Sequence, residues 1–415
     1  MRKLFFLLIC GSLLLWHGCG GFDENAVNRW ERISVTDVGT TLQETLWTRN
    51  FAPSAKYMKV GLRRLCLKDG SADQGVVVYL PPSGTSARLY TDSENYDFRI
   101  YLANRGYAVF SVDYRSSFIA EDENDISSLA GFRTSVTLSD IQQAIAYVKE
   151  LAGVDKVFLT GHSTGARYVY LYACSRWQED LAGMIPMDGS PWEMDGRPAA
   201  ESTLDIEQGY AALLQGDTAV NRELFKSWGM EPGEHYYDVV LTNFAPEFGP
   251  AVYIYYASGP NAPSPVPGFP TVTDYLADQF YTVWGDKQLT NVLNGYSTVE
   301  VLLDFVIRAG VDHWPIVDYL EDAYLGNWAG EPPLSALQFS KDISSVNIPI
   351  LVFASQEWTD ALGYQYRWKR EGFEMIKSAD RQYVLLDGFG HLDVLVGEYA
   401  KDRVYKVLYD WLEAR

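Results

Sequence analysis

Apolar residues in this chain gather into two kinds of run, and the two kinds alternate. Short, nearly continuous apolar stretches, the pattern of strands covered on both faces, occur at residues 75–80, 106–114 (G-Y-A-V-F-S-V-D-Y), 156–160, 183–187, 348–354 and 382–386. Between them lie segments with helical spacing. Ile141, Ile145 and Val148 share one face of a predicted helix, which Ser139 and Gln142 would open as a capping box. Other helices are predicted near 96–104, over 166–174, between 348–354 and 382–386, and from the last strand to Trp411. Residues 57–67 read as a further strand, followed by the turn Lys68-Asp69-Gly70. Such alternation predicts an α/β domain built on a mostly parallel, doubly wound sheet.

The alternation stops at Pro191 and resumes near residue 346. The intervening stretch holds a proline-rich loop (Pro263, Pro265, Pro267, Pro270) and amphipathic helices, one of them opened by a box from Ser297 to Glu300 and ended by Gly310. It predicts a mainly helical cap inserted into the core. The expected organisation is an amino-terminal segment 1–22, a first core block 23–190, the cap 191–345 and a second core block 346–415.

With 415 residues, 47% hydrophobic and 21% charged, the chain has globular composition. Its net charge of −20 disfavours nucleic acid and anionic membrane surfaces as partners, because a field of that sign repels phosphate. The amino terminus pairs Arg2 and Lys3 with an apolar run over 4–16, too short to span a bilayer, which predicts an export signal. Cys19 follows Gly18 at the end of that run and is a candidate lipidation site, so the expected location is periplasmic, secreted or tethered at the cell envelope. Cys10 and Cys19 fall in this segment. That leaves Cys66 and Cys174, expected as two buried free thiols rather than a bridge.

The chemistry concentrates in Gly161-His162-Ser163-Thr164-Gly165, a G-x-S-x-G sequence after a predicted strand and before a predicted helix. A serine hydroxyl is a poor nucleophile until an imidazole takes its proton. Of five histidines, His17 lies in the amino-terminal segment, His162 in the pentapeptide itself, and His235 and His313 in the insertion. His391 alone follows the last predicted strand, in Asp387-Gly388-Phe389-Gly390-His391-Leu392-Asp393, where two glycines free the loop to bring the ring over the serine. No glycine-rich phosphate loop is present and the histidines are scattered, so no cofactor or metal is expected.

Together these residues resemble the α/β-hydrolase superfamily. The stretch 388–397 (G-F-G-H-L-D-V-L-V-G) is similar to the histidine loop of its lipase-like members, and the resemblance covers the two core blocks but not the cap. It implies an α/β-hydrolase fold and a Ser, acid, His order along the chain, carried over onto Ser163 and His391. The commonest place for the acid, just past the strand 348–354, reads Ser355-Gln356-Glu357-Trp358-Thr359-Asp360, with tryptophan where aspartate is usual. Three candidates therefore stand: Asp188, at the end of the preceding strand, Glu357 and Asp360. The oxyanion hole implied by the resemblance draws one N–H from Thr164 and another from the loop Pro81-Pro82-Ser83-Gly84, where prolines cannot donate and Ser83, or else Gly84, is expected to serve.

The expected activity is hydrolysis of a carboxylic ester, lipid esters included, by Ser163 through an acyl-enzyme. Amide, thioester or carbon–carbon cleavage by the same serine is the alternative, and an exported, non-catalytic binding protein of the same fold is a second. Trp192, Trp284, Trp314 and Trp328 of the insertion are candidates to line an apolar cleft, although packing within the cap explains them better.

Overall fold

Most of the apolar runs become parallel strands at the centre of one sheet. The computed structural model describes residues 29–51, 58–70, 74–82, 85–119, 134–191, 247–284, 296–308, 342–356 and 367–415. β4 (Gly75–Leu80), β5 (Tyr107–Asp113), β6 (Val157–His162), β7 (Leu181–Met187), β8 (Ile350–Ser355) and β9 (Arg381–Leu386) are parallel neighbours in the order β5-β4-β6-β7-β8-β9. β1 (Trp30–Val38), β2 (Leu42–Asn50) and β3 (Lys59–Leu67) extend the sheet past β5 as an antiparallel meander, giving nine strands among the described residues. β4 lies between β5 and β6, so the chain crosses over between parallel neighbours, as a doubly wound sheet requires.

The period of two along each strand divides the core. Val77, Tyr79, Ile185, Met187, Leu351 and Phe353 face one side; Val76, Val78, Leu80, Met184, Ile350 and Val352 face the other. On the second side α2 (Thr134–Ala152) lays down Ile141, Ala144, Ile145 and Val148, and α3 (Thr164–Asp180) lays down Tyr168, Val169 and Ala173. On the first side α1 (Phe98–Ala103) contributes Phe98 and Leu102, and the closing helix Lys406–Glu413 contributes Leu408 and Trp411. Burying each such valine, leucine or phenylalanine stabilises by about 1.5–3 kcal/mol.

Three helices of the stretch between β7 and β8 are described: α4 (Phe248–Ser258), α5 (Val272–Trp284) and α6 (Val299–Arg308). Phe248, Phe280, Leu302 and Phe305 belong to the same buried cluster as Tyr79 and Phe353, so these helices pack into the core of the first sheet face. α7 (Arg367–Met375), the short α8 (Asp393–Val396) and the closing helix, α9, complete the second block.

The structure corrects the sequence reading at several points. β1 and β2, absent from the expected elements, form the far edge of the sheet. Ser139 does not open a helix: α2 is already under way at Thr134, and the neighbouring Asp140 is buried in a two-pronged ion pair with Arg115, 2.6 Å on each side. At α6 the cap is Thr298, whose Oγ1 accepts the Val301 N–H at 3.3 Å, because the Ser297 hydroxyl is engaged by Asp393 instead. Cys66 and Cys174 are unbridged as expected, but Cys174 is only half-buried. The amino-terminal segment 1–22, Trp192, His235, His313, Trp314 and Trp328 lie outside the described residues. No described helix is long and apolar enough to cross a membrane.

The loop after β4 is pinned by one buried ion pair. Asp97, fully buried at the N-cap of α1, accepts the Arg99 backbone N–H and Nε on Oδ1 and the Arg99 Nη2 and Tyr90 N–H on Oδ2. Arg99 in turn donates to the carbonyls of Ala87 and Arg88 and lies over the Tyr90 ring, 4.2 Å from its centre. Asp97→Ala would strand a guanidinium in the core, so it is expected to destabilise the fold by about 3–5 kcal/mol, read from the urea unfolding midpoint. A shift under about 1 kcal/mol would contradict this assignment.

Candidate active site

The turn from β6 into α3 is the most constrained backbone in the described chain. Ser163 sits there at φ 55°, ψ −122°, and its N–H donates to the Met187 carbonyl at 3.1 Å. Ser163 and Asp188 (φ 48°) are the two described non-glycine residues with positive φ, a conformation that costs a side-chain-bearing residue of order 1–3 kcal/mol. Both stand where adjacent parallel strands end. The two glycines of the pentapeptide are there for space: a Cβ at Gly161 would lie 2.3 Å from the Gly165 carbonyl oxygen, and one at Gly165 would lie 2.1 Å from that of Leu80. This second contact brings the start of the post-β4 loop against the turn.

His391, on the loop after β9, meets the end of β7. Its Nδ1 donates to Asp188 Oδ2 at 2.6 Å, and both side chains are buried. Asp188 is held in turn by the end of β8: the Ser355 N–H donates to Oδ1 at 2.6 Å and the Ser355 hydroxyl to Oδ2 at 2.7 Å. The Asp188 N–H donates to the Phe353 carbonyl at 2.8 Å. With Nδ1 carrying the proton toward Asp188, the neutral ring of His391 keeps Nε2 as its acceptor.

His162, one residue before Ser163, is also part of this arrangement. It is fully buried, its Nε2 donates to the His391 carbonyl at 3.0 Å, and the two rings stand 4.3 Å apart at a 34° tilt. The serine-bearing turn and the histidine loop are thus joined directly. Sequence reasoning placed His162 in the turn without giving it this task, and the signal was its position beside the serine.

Of the acids expected from sequence, Asp188 is the one the structure brings to His391; Glu357 and Asp360 lie outside the described residues, as do Ser83 and Gly84. Thr164 is the first residue of α3, next to the turn, where helix N–H groups point outward. Ser355 was overlooked, since its part depends on which strand end carries the acid.

His162, Asp188 and His391 each offer a ligand atom, all within 4.8 Å of one another. The Nδ1 to Oδ2 separation of 2.6 Å is a hydrogen-bond length, whereas two tetrahedral ligands about 2.0–2.1 Å from one ion stand roughly 3.3 Å apart. The cluster is arranged to hold a proton.

A nine-stranded, mostly parallel sheet with a strained serine between a strand and a helix, and a histidine paired with a carboxylate, defines the architecture of an α/β hydrolase. Residues 77–324, more than half of the chain, match the model of the alpha/beta hydrolase family, and the chain belongs to that family. No curated protein matches the sequence. Among solved structures, the chain is similar to a candidate lipase from Sulfolobus solfataricus, at 22% identity and a TM-score of 0.65, over 93% of this chain and 99% of that one. It is also similar to a thermophilic esterase from Thermogutta terrifontis, at 13% identity and a TM-score of 0.45, over 93% and 98%. At 22% identity the likeness to the first of these is one of fold.

A methyl group at position 165 probes the tightness of the turn directly. Gly165→Ala forces a methyl group into the Leu80 carbonyl and is expected to destabilise the protein by at least about 1–3 kcal/mol, read as a lowered thermal midpoint. An unchanged midpoint would show that the turn is looser than described.

Proposed function

We propose that this protein is a serine hydrolase of carboxylic esters, with Ser163 as nucleophile, His391 as general base and Asp188 as the acid that orients it. The observation that carries the reading is the 2.6 Å bond from His391 Nδ1 to buried Asp188, on a histidine loop joined through His162 to the strained Ser163 turn. In this scheme the Ser163 oxygen attacks the ester carbonyl as its proton passes to Nε2 of His391. The imidazolium then protonates the departing alcohol. Water repeats the sequence on the acyl-enzyme and releases the acid.

Asp188 takes no proton; it fixes the ring tautomer and stabilises the imidazolium while that charge exists. The N–H of Thr164 and one from the loop after β4, at Ser83 or Gly84, are assigned to the oxyanion. The close packing of Gly165 on Leu80 favours that assignment, because it starts the loop beside the turn. The stretch 191–345 is assigned the role of shaping the acyl pocket, and carboxylic esters, lipid-like ones among them, are the favoured substrates. The positive φ held at Ser163 beside the Asp188–His391 pair counts against a non-catalytic binding protein, since backbone strain of that kind clusters at functional sites.

Hydrolysis of p-nitrophenyl esters from acetate to palmitate tests this reading. The wild-type protein is expected to turn them over with a chain-length optimum, Ser163→Ala to lose on the order of 10⁶ in kcat, and Asp188→Asn about 10⁴. Activity that survives in Ser163→Ala would refute the assignment. Inactivity at every length, together with turnover of an amide or thioester, would move the substrate to that bond.

A further inference from the structure

The loop that carries His391 is fastened to the stretch between β7 and β8 by a buried carboxylate. Asp393 is fully buried; its Oδ2 accepts the Gly390 N–H at 2.8 Å, closing a tight turn around His391, and its Oδ1 accepts the hydroxyl of Ser297. Ser297 is itself buried and stands two residues before α6. Tyr296 reinforces the contact: its carbonyl accepts the Glu398 N–H at 2.6 Å, and its ring lies 5.1 Å from that of Phe389. Packed rings tolerate sliding, whereas a buried carboxylate needs its donors at defined directions. Ser297 is therefore the side chain through which this stretch constrains the turn around His391 in both distance and direction, beside the backbone bond from Glu398 to Tyr296.

We propose that Asp393 is a positioning residue for His391, and that Ser297 is the donor through which the 191–345 stretch sets the pose of that histidine. The inference rests on the reading of Ser163 and His391 as the reacting pair. Three anchors then divide the task. Asp188 holds the ring at Nδ1, His162 holds the His391 carbonyl, and Asp393 holds the turn that precedes it. Removing the Ser297 hydroxyl takes that donor from Oδ1 and lets the carboxylate rotate away from Gly390. Nε2 then moves relative to the Ser163 oxygen, and a displacement approaching 1 Å costs up to about 10²-fold in rate. Binding of the ester, which Ser297 does not touch in this scheme, is left largely as it was.

The test uses the full chain with Ser297→Ala, Ser297→Thr and Asp393→Asn. Ser297→Ala is expected to lower kcat about tenfold or more with KM within about twofold, and to broaden the low-field proton resonance of His391 Nδ1–H. Ser297→Thr keeps the hydroxyl and is expected to restore both. Asp393→Asn can still accept from Gly390 and bond Ser297 with donor and acceptor exchanged, so it is expected to keep kcat within about fivefold. Asp393→Asn carries the test if Ser297→Ala fails to fold. An unchanged kcat and resonance in folded Ser297→Ala, a change confined to KM, or a loss in Asp393→Asn as deep as that of Ser163→Ala would each overturn the proposal. If instead Ser163→Ala retains activity, the proposed function fails, while the proton resonance still reports whether Ser297 holds the histidine.

Discussion

The hydrogen bond from His391 Nδ1 to Asp188 Oδ2 joins residues 203 positions apart, and it can form only if the sheet is assembled in one order. β7 must lie beside β8 and β8 beside β9, all parallel, so that the turns leaving β7 and β9 reach the same edge. The intervening strand is not a passive spacer. Its last residue, Ser355, donates two hydrogen bonds to Asp188 and so turns the carboxylate toward the histidine. A buried carboxylate without such donors would be costly, which ties the acid to the strand next door as firmly as to its own.

The same edge sets the serine. β6 pairs with β7 through His162 and Met187, and the Ser163 N–H continues that pairing to the Met187 carbonyl before the chain swings into α3. The positive φ values of Ser163 and Asp188 are both held by this local over-determination: glycines that leave no free volume on one side, ladder hydrogen bonds on the other. Below the edge, alternation along β4, β7 and β8 fills two cores, and the helices α4, α5 and α6 complete one of them. These described helices are thereby built into the support of the histidine loop, which gives Ser297 a fixed place from which to meet Asp393.

What could be read from the sequence follows from how local each signal is. The central strands were legible because a strand buried on both faces must be apolar along its length, and β4 was placed to the residue. β1 was not. It is an exposed edge strand, and a register shift between Arg32 and Ser34 puts Trp30 and Ile33 out of alternation. The capping box at Ser139 failed because α2 is already under way at Thr134, which leaves Ser139 on the exposed face of the helix interior. Ser163 and His391 stood out through their neighbours in the chain. The partner of His391 was open among Asp188, Glu357 and Asp360 because the observed contact with Asp188 depends on the pairing of β7 with β8 and of β8 with β9, which local pattern does not encode. The parts of His162, Ser355, Ser297 and Asp393 are likewise relations between distant segments.

The central claim is that Ser163 is an activated nucleophile. The most direct measurement is reaction of the full chain with a fluorophosphonate, followed by mass-spectrometric mapping of the adduct. The account predicts a single adduct on Ser163, formed far more slowly once Asp188 is replaced by asparagine. No adduct, or one on another serine with Ser163 unmodified, would contradict it.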